Sequence, residues 1–410
     1  MAQPKVAIIG GGAAGFFTAI NLAIKTKNAD ITLYEGSSKF LAKVLISGGG
    51  RCNVTNTISK PEELIKSYPR GEDFLLPIFQ KFSSKDTQEW FERHGVALKT
   101  EEDGRVFPKS DSSQSIYNCL VRLAKEHGVK VKLEHRLTGL TQQDDIWKLE
   151  FKNNEILADH VVLCTSCNNQ IRKMVTKLGI SYVAPIPSLF TFNAQNHHLK
   201  ELAGISVPNA RVAIKEIKES QDTGPLLITH WGYSGPAVLR LSAWQARRLA
   251  ELDYQFTLQI QWDYNWKRED FQNIFQTNTL EHPKEKIIHW KGHELPKRLW
   301  TEIVSSAQLE EYKNWSEIGK KGIKRLLDAM FSYQVAINGK STFKAEFVTA
   351  GGIDLSEIDS STFELKQSKN LYAAGELLNI DAITGGFNFQ AAWSGAYLIS
   401  HAISKKVLSV

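Results

Sequence analysis

The stretch that most constrains the fold lies near the start of the chain, where residues 5–35 read KVAIIGGGAAGFFTAINLAIKTKNADITLYE. Its first residues form a short apolar run, which predicts a strand buried on both faces. A Gly-x-Gly-x-x-Gly motif follows at once, formed by Gly10, Gly12 and Gly15. The next residues predict a helix to about Lys25, with an apolar side made of Phe16, Ile20, Ala23 and Ile24. A second predicted strand, residues 31–34, ends at Glu35, which lies 20 residues beyond Gly15.

Each part of this strand–turn–helix–strand unit suits a dinucleotide. Gly10 makes the tight turn, Gly12 lets the backbone approach a pyrophosphate, and Gly15 lets the helix pack closely on the strand. The helix N-terminus offers N–H groups and a partial positive charge to the phosphates. Glu35 can accept hydrogen bonds from ribose hydroxyls and would repel a 2′-phosphate. The pattern therefore predicts FAD or NAD and disfavours NADP.

A second glycine-rich segment lies near the end of the chain, where residues 371–403 read LYAAGELLNIDAITGGFNFQAAWSGAYLISHAI. A short apolar strand ends at Gly375 and Glu376, and a helix is predicted to begin near Phe387, directly after Gly385 and Gly386. Two glycines before a helix place backbone N–H groups at an anion site. The same helix can also close the domain, and the sequence is compatible with both roles.

The segment ISGGGRCNVTN, residues 46–56, is compatible with a phosphate-cradling loop, a reactive cysteine, a glycosylation sequon or a tight turn. Since it follows the strand that ends at Glu35, we expect its glycines to permit close approach to a cofactor, because glycine tolerates both proximity and positive φ. Cys52 is then expected to be a small packed residue rather than a reactive thiol. The sequons at Asn53 and Asn314 are expected to be chance matches.

Composition narrows the class of protein. The net charge of +6 fits an anionic cofactor or substrate and does not by itself argue for nucleic acid. Four cysteines are too few for a disulfide scaffold of this length, which favours a reducing compartment. The chain shows neither a signal-peptide pattern nor about 18 uninterrupted apolar residues, so we expect a cytoplasmic protein without a membrane span.

Six motifs occur in an order that is similar to one known family. They are GGGAAG, KVLISGGGRCNVTN, RVFPKSDSS, LITHWGYSGPAVL, FVTAGGIDL and LYAAGELLNIDAITGGFNFQAAWSGAY. Together they resemble the HI0933-like family of flavoproteins, which includes NAD(P)/FAD-dependent oxidoreductases and FAD-binding enzymes of the aminoacetone oxidase family. The resemblance covers nearly the whole chain and implies FAD as the cofactor.

The resemblance also implies an α/β fold: a Rossmann-like FAD-binding domain of the two-dinucleotide-binding-domain flavoprotein type, interrupted by an inserted β-rich domain that carries a helical subdomain. The expected boundaries are 1–186 and 344–410 for the FAD-binding domain and 187–343 for the inserted substrate domain. Within the insert, 187–262 and 331–343 should be β-rich and 263–330 helical. Short alternating apolar runs such as SLFTF, RVAIKEI and YQFTLQI independently predict antiparallel strands there.

Five of the ten tryptophans, at positions 262, 266, 290, 300 and 315, lie in the helical part of the insert or at its edge. Tryptophans in a charged segment can stack on nucleobases. We expect them to form the core of the subdomain instead, because large aromatic side chains dominate cores.

One departure from the family follows the strand HVVL, where Cys164-Thr-Ser-Cys167 replaces glycines and a longer loop. Only Thr165 matches the family pattern. A zinc site needs more ligands than this pair offers, and a redox pair needs an exposed thiolate of low pKa. We therefore expect both cysteines to be structural and predict no metal site.

The resemblance and the motif positions together predict the site. The predicted cofactor-binding residues are Gly10, Gly12, Ala13, Ala14, Gly15, Glu35, Gly36, Lys43, Ser47, Gly49, Gly50, Arg51, Cys52, Asn53, Leu137, Thr165, Gly375, Glu376, Gly386, Phe387, Asn388 and Phe389. The loop that contains Arg51 is expected to hold FAD from the side opposite the helix that begins near Phe387.

The predicted catalytic residues are Arg51, His230 and Tyr233. The planar guanidinium of Arg51 suits the anionic end of a substrate or the flavin. His230 and Tyr233 lie on the insert, which in this architecture is expected to cover the flavin. A histidine titrates near neutrality and can move a proton, although a turn histidine held by backbone groups is equally compatible with the sequence.

These features predict an FAD-dependent oxidoreductase that transfers hydride between the flavin and a small organic substrate. No second Gly-x-Gly-x-x-Gly motif occurs, so NAD(P)H would bind only transiently, and direct reduction by the substrate and reoxidation by dioxygen stay open. The alternatives are a flavin-dependent tRNA-modifying enzyme and a redox sensor that binds FAD without turnover. Nucleic acid is the less favoured partner, because no clustered basic patch is visible in the sequence. Substrate identity and oligomeric state stay open.

Overall fold

The computed structural model describes residues 3–195, 198–309, 313–341 and 348–409. The chain divides into two compact units, one formed by Met1–Pro187 with Phe343–Val410 and the other by Ser188–Thr342. We call the first the sheet unit and the second the barrel unit. The boundaries expected from the sequence lie one residue away from these.

The sheet unit begins with strands β1 Lys5–Ile9, β2 Asp30–Tyr34, β3 Thr55–Asn56, β4 Leu98–Thr100, β5 Arg105–Pro108, β6 Lys130–Lys132, β7 Leu137–Gln143, β8 Ile146–Phe151, β9 Glu155–Ala158, β10 His160–Leu163 and β11 Tyr182–Ser188. The helices of this part are α1 Ala13–Lys25, α2 Ala42–Gly50, α3 Pro61–Leu64, α4 Glu72–Phe79, α5 Ser84–Arg93, α6 Gln114–Glu126 and α7 Asn169–Lys177.

The barrel unit contains strands β12 Thr191–Asn193, β13 Ser206–Ile214, β14 Gln221–Thr229, β15 Gly232–Ser234, β16 Gln255–Gln261 and β17 Tyr333–Ser341. Its helices are α8 Pro236–Trp244, α9 Ala246–Glu251, α10 Arg268–Glu281, α11 Lys297–Ser306 and α12 Trp315–Phe331. The chain returns to the sheet unit with β18 Val348–Ile353, β19 Glu364–Leu365, β20 Ser368–Ala373 and the final helix α13 Phe387–Leu408.

The sheet unit is built on a six-stranded sheet of order β19-β20-β10-β1-β2-β6, in which every strand except β19 is parallel to its neighbours. From β1 the chain proceeds outward to β2 and β6 on one side, and β10 and β20 are added later on the other. The strand order therefore reverses between β1 and β10. Open parallel sheets bind ligands outside the carboxyl ends of the strands at such a reversal. The predicted α/β fold is confirmed.

Helix α1 is buried around most of its circumference. The predicted helix and its end at Lys25 are confirmed, but the predicted apolar side is incomplete. Ile24 is 42% exposed, whereas Phe17 and Leu22 are fully buried. The reason is that α1 packs against α13 and α6 in addition to the sheet, so a single apolar stripe does not describe it.

The barrel unit is a closed antiparallel barrel of order β12-β15-β14-β13-β16-β17, which closes where β12 pairs with β17. The runs predicted to be strands lie in or next to β12, β13 and β16. Helices α10 and α11 lie within the segment predicted to be helical, and α12 ends one residue beyond it. Trp262, Trp300 and Trp315 are buried in the core of this unit, and Trp266 and Trp290 pack against it. The core interpretation of the tryptophans is therefore confirmed.

None of the helices that the structure describes is both long and apolar enough to cross a membrane.

Candidate dinucleotide site

The carboxyl ends of the parallel strands bring the two glycine motifs of the sequence together. Gly10 follows β1, and its N–H donates to Tyr34 O at the end of β2 at 2.8 Å. Glu35 accepts a hydrogen bond from Gly11 N at 2.8 Å through Oε2. At the other end of the chain, a Cβ built on Gly375 would lie 3.2 Å from the Cβ of Ala14, in the first turn of α1. Two motifs separated by the whole barrel unit therefore adjoin.

The three glycines of the first motif meet different surroundings. A Cβ on Gly10 would lie 2.4 Å from Cys164 O, and a Cβ on Gly15 would lie 2.0 Å from Gly10 O, so close packing excludes a side chain at both. A Cβ on Gly12 would meet nothing within 4 Å. Gly12 precedes α1, which has no acidic residue in its first turn. The space over Gly12 is a cradle for an anion at a helix N-terminus.

Thr165 lies close to the turn at Gly10 and carries a buried hydroxyl. Its Oγ1 is buried and has no hydrogen-bond partner among the residues that the structure describes. The backbone N of Thr165 lies 3.0 Å from the Cβ position of Gly10. A buried polar atom without a partner costs free energy, so it indicates a ligand group that would bond to it.

These features fit FAD. The cradle over Gly12 and the N-terminus of α1 would hold the pyrophosphate, Glu35 a ribose, and Thr165 a polar group of the same ligand. Gly36 and Leu137 lie near Glu35, because a Cβ on Gly36 would be 3.3 Å from the Cβ of Arg136, the neighbour of Leu137. Their cofactor contacts, and those of Ala13, stay predictions.

The segment before α13 is held by its own hydrogen bonds. Asn388 accepts from Ala382 N at 3.0 Å and donates to Ala382 O at 3.1 Å, which closes the loop 382–388. Tyr68 OH donates to Phe387 O at 2.6 Å, and the ring of Phe389 stacks on that of Trp393. The side chain of Asn388, predicted to contact the cofactor, is therefore engaged by the loop. The predicted helix start at Phe387 is confirmed.

The second half of the segment ISGGGRCNVTN contacts the start of α13. The expectation that this loop holds FAD from the side opposite that helix stays a prediction. With its side-chain amide turned so that O faces donors, Asn53 accepts from Gly386 N at 3.0 Å and donates to Thr55 O at 2.9 Å. Trp393 Nε1 donates to Val54 O at 3.0 Å. Asn53 is buried, and buried polar groups are hydrogen-bonded. Its side chain therefore joins two chain segments, and its contact to the cofactor stays a prediction.

The glycine triplet in that segment adopts the expected backbone. Gly48, Gly49 and Gly50 have φ values of 58°, 68° and 83°, at the kinked end of α2. A Cβ on Gly49 or Gly50 would meet nothing within 4 Å. The expectation of positive φ is confirmed. Ser47, where the kink begins, donates to Val44 O at 2.9 Å through its hydroxyl.

Arg51 is engaged by acidic side chains of the sheet unit. Its Nη1 lies 2.5 Å from Glu101 Oε1 and 3.6 Å from Asp111 Oδ1, and its guanidinium lies 4.0 Å from the centre of the Phe107 ring. The Lys99 ammonium, and after it the Arg51 guanidinium, hold the pKa of Asp111 below its ordinary value. Two carboxylates lie beside the Arg51 guanidinium and balance its positive charge. Arg51 would therefore attract an anionic substrate less strongly than we expect from the sequence. Nothing in the sequence indicated that Glu101 or Asp111 would be a partner of Arg51.

Lys43 and Glu376 form an ion pair that joins α2 to the C-terminal motif. Both residues were predicted to contact the cofactor, and the structure brings them together. Gly375, Glu376 and Asn388 also line one cavity with Leu378, Ile380, Ala391 and other apolar side chains.

An ion pair between Arg70 and Asp381 was missed by sequence reasoning. The Asp381 side chain is fully buried and that of Arg70 is 15% exposed. Arg70 donates through Nε and Nη2 to both carboxylate oxygens of Asp381. Ile383 N donates to Ser67 O at 3.0 Å nearby. Asp381 was visible in the C-terminal motif, but nothing in the sequence links it to Arg70, 311 positions away.

The four cysteines are all free thiols. Burial raises the pKa of Cys52 and Cys164 to about 12 and that of Cys119 and Cys167 to about 11. A reactive cysteine needs the opposite shift. The interpretation of Cys52, Cys164 and Cys167 as packed structural residues is therefore supported, and the contact of Cys52 to the cofactor stays a prediction.

The two predicted catalytic residues of the barrel unit differ in surroundings. Tyr233 is fully buried in the barrel core, where its phenol interacts with that of Tyr333 and burial raises its pKa above the ordinary value. A buried phenol that resists ionisation is poorly suited to proton transfer. His230 is exposed in the turn between β14 and β15. The expectation that this unit covers the flavin stays a prediction.

The fold and the site define a class of protein, an FAD-dependent flavoprotein oxidoreductase. The chain belongs to the family described as HI0933-like protein Rossmann domain, whose model matches residues 4–402. The resemblance seen in the sequence motifs is thereby confirmed.

The curated relatives match over their whole length. A ribosomal RNA dihydrouridine synthase of Haemophilus influenzae is 27% identical over 97% of this chain and 98% of the relative. An Escherichia coli protein of the same name is also 27% identical, over 95% of both chains. A 3-dehydro-bile acid delta(4,6)-reductase of Clostridium scindens is 26% identical over 98% of this chain and 99% of the relative.

Solved structures share the fold. A 3-ketosteroid-delta4-(5alpha)-dehydrogenase from Rhodococcus jostii RHA1 superposes with a TM-score of 0.53 at 13% identity, over 98% of both chains. A flavocytochrome c3 fumarate reductase superposes with a TM-score of 0.50 at 16% identity, over 99% of this chain and 78% of the other.

Substitutions at Gly12 and Gly15 separate cofactor binding from folding. We expect Gly12→Ala to leave the stability of the FAD-free protein unchanged and to weaken FAD binding, because the new methyl group enters open space over the cradle. Gly15→Ala is expected to destabilise the FAD-free protein by about 1–3 kcal/mol through overpacking. Urea unfolding and FAD titration measure the two effects. A Gly12→Ala protein that binds FAD as wild type does would contradict the cradle.

Breaking the pair of Arg70 and Asp381 is expected to destabilise the sheet unit. Arg70→Met leaves a buried carboxylate without its partner, and such losses cost about 3–5 kcal/mol. FAD affinity should fall as well, since the pair holds the loop before α13. The matched control is Lys66→Met, because its pair with Glu63 is exposed and contributes at most about 1 kcal/mol. Equal urea midpoints for both variants would refute the role of the buried pair.

The thiols are expected to be unreactive in the native protein near pH 8. Thiolate forms only as the pH approaches the raised pKa, so a shift of the thiol pKa from its ordinary value of 9.0 to about 11 or 12 lowers the thiolate fraction at least ~100-fold. Reaction with a disulfide reagent in native buffer and in urea measures this. We also expect Cys164→Ala/Cys167→Ala protein to retain flavin reduction. One thiol that reacts rapidly in the native state would contradict the structural interpretation.

Proposed function

We propose that this protein reduces a carbon–carbon double bond that is conjugated to a carbonyl group, with FAD as the hydride carrier. The observation that carries the proposal is that full-length relatives with very different substrates have names that describe this one reaction. Making dihydrouridine saturates the uracil double bond, which is conjugated to a carbonyl. A delta(4,6)-reductase of a 3-dehydro-bile acid acts on double bonds conjugated to the 3-keto group.

The reaction needs a hydride and a proton. FAD, when bound in its reduced form, supplies the hydride to the carbon β to the carbonyl, and a proton completes the saturated product at the α carbon. The cradle over Gly12, with Glu35 and Thr165, supports cofactor binding by the sheet unit. The raised pKa of all four thiols supports direct hydride exchange without a cysteine relay.

The barrel unit is proposed to be the substrate domain, with His230 as the proton donor. His230 lies in a turn whose backbone is held at both neighbours: Thr229 Oγ1 donates to Gly232 O at 3.0 Å and Ala194 N donates to Trp231 O at 2.8 Å. It is exposed, as a group that meets a substrate must be. Tyr233 is less suited because it is buried, and Arg51 because acidic side chains already engage it.

Two substrate classes fit this chemistry. A small conjugated ketone is the first, in line with the small organic substrate expected from the sequence. A uridine in ribosomal RNA is the second, and it is favoured by two relatives of that name at 27% identity. NAD(P)H is the proposed electron donor and would bind only transiently, since the chain has one dinucleotide motif.

Anaerobic turnover with matched acceptors tests the proposal. The holoprotein is reduced with NADH or NADPH, and a conjugated 3-keto steroid diene, its saturated counterpart, or ribosomal RNA free of dihydrouridine is then added. We expect return of the oxidised flavin absorbance with the conjugated acceptor or the RNA only, and a product heavier by two hydrogens in mass spectrometry. The saturated ketone is the control because it has no conjugated carbon–carbon double bond that could accept a hydride at the β carbon.

Variants sharpen this experiment. His230→Gln is expected to slow reoxidation by the acceptor and to alter its pH profile, while FAD content and reduction by NAD(P)H are retained. Full turnover with an unchanged pH profile would remove His230 from proton transfer. If the flavin is reduced but no conjugated acceptor reoxidises it, the reductase proposal fails, and a redox sensor or an oxidase that uses dioxygen takes its place.

A further inference from the structure

Positive charge is concentrated in two separate segments of the barrel unit. Residues 284–298 contain five lysines and arginines against two acids, and residues 313–325 contain five against one. Together the two segments carry more net positive charge than the whole chain, whose net charge is +6. Neither segment is a continuous basic run, so the concentration is not apparent along the sequence.

The fold pairs these two segments. Ile287 N donates to Lys313 O at 3.1 Å, and Trp315 N donates to Glu285 O at 3.1 Å. Lys286 and Asn314 form an antiparallel bridge between the same segments. The bridge lies directly before α12, so Lys284, Lys286 and Lys313 adjoin the N-terminal end of that helix. Helix α12 is kinked at Gly319, whose backbone is non-helical (φ 59°, ψ 174°), and Lys320, Lys321 and Lys324 follow after the kink.

The lysine surface, defined as Lys284, Lys286, Lys313, Lys320, Lys321 and Lys324, faces solvent. All of these residues except the half-buried Lys313 are exposed. None of the six forms an ion pair with a residue that the structure describes. Lys320 and Lys324 are four residues apart on the outer side of α12, where like charges repel each other. In the sheet unit, by contrast, lysines such as Lys99 and Lys148 have acidic partners.

The chemistry of this surface suits a phosphate backbone. An ammonium group is a compact charge that binds phosphate without reading bases. Trp300 is 1% and Trp315 0% exposed, so these two tryptophans offer no stacking face. The six lysines can supply electrostatic, sequence-independent affinity and orientation, but not base recognition.

We propose that the lysine surface of the helical subdomain is an RNA-docking surface that contacts the phosphate backbone of a structured RNA. This inference rests on the proposed function, with a uridine in RNA as the substrate that the docked RNA presents. It departs from the expectation that nucleic acid is the less favoured partner. That expectation rested on the absence of a basic cluster in the sequence, whereas the pairing of residues 284–287 with 313–315 creates one in the fold.

Salt-dependent RNA binding by the full-length holoprotein tests the surface. Binding of ribosomal RNA free of dihydrouridine is measured by fluorescence anisotropy across a salt series. The test variant is Lys320→Ala/Lys321→Ala/Lys324→Ala. The matched control is Lys152→Ala/Lys173→Ala/Lys177→Ala, which removes the same charge from exposed lysines of the sheet unit, two of them also four residues apart on a helix.

We expect the test variant to bind RNA at least ~10-fold more weakly at low salt, with a slope of log affinity against log salt reduced by about two to three, since each lost phosphate contact reduces it by nearly one. The control should bind within about twofold of wild type, because its lysines lie outside the surface. Wild-type affinity that does not depend on salt, or equal binding by both triple variants, would overturn the proposal.

Two further measurements keep this inference separate from the proposed function. The test variant is expected to reduce a small conjugated ketone as wild type does, if that acceptor is used at all. RNA binding without reduction of any conjugated bond would leave the surface in place and reject the reductase. Reduction of a small conjugated ketone without RNA binding would support the reductase and reject the RNA-docking surface. Lysine-dependent binding to phosphatidylserine vesicles but not to RNA would assign the surface to membranes and reject RNA docking.

Discussion

The parallel pairing of β20 with β10 joins the two ends of the chain in one sheet, and the dinucleotide site depends on it. β10 pairs with β1 on its other side, so the turn after Ile9, the residues after Leu163 and the motif after Ala373 reach the same edge. Without this pairing, Gly375 would not lie against the first turn of α1. The whole barrel unit can be inserted between β10 and β20 because the sheet, and not chain continuity, positions the site.

Buried polar contacts then hold the segment that leads into α13. Asp381 is paired with Arg70, Tyr68 donates to Phe387 O, and Asn53 bonds to Gly386. Each of these groups is costly to bury unless its partner is in place, so the arrangement has few alternatives. The consequence is a helix N-terminus that is oriented before any ligand arrives. An anion site that needs no rearrangement loses less of its binding free energy to ordering.

Local chemistry explains which parts of the site could be predicted from the sequence. Three features could be predicted because they depend on residues close together in the chain: the turn at Gly10, the start of α1 and the position of Glu35. Over such short distances, hydrophobic periodicity predicts strands and helices, and glycine indicates positive φ. Arg51 directly follows the glycine triplet, but its partners Glu101 and Asp111 are 50 and 60 positions away, after strands β4 and β5. The burial of Tyr233 depends on how the barrel closes around it, and this cannot be predicted from the residues next to Tyr233 in the sequence.

By itself the sequence determined the dinucleotide fingerprint, the α/β class, the family and the positive φ of Gly48–Gly50, because each follows from short-range sterics or from motifs of adjacent residues. Only the tertiary structure decided that Asn53 joins two chain segments, that burial raises the pKa of the thiols, and that residues 285–287 pair with residues 313–315. The physical reason is shared by all three: burial and electrostatic potential depend on which distant residues become neighbours, and that is decided only when strands pair and helices pack.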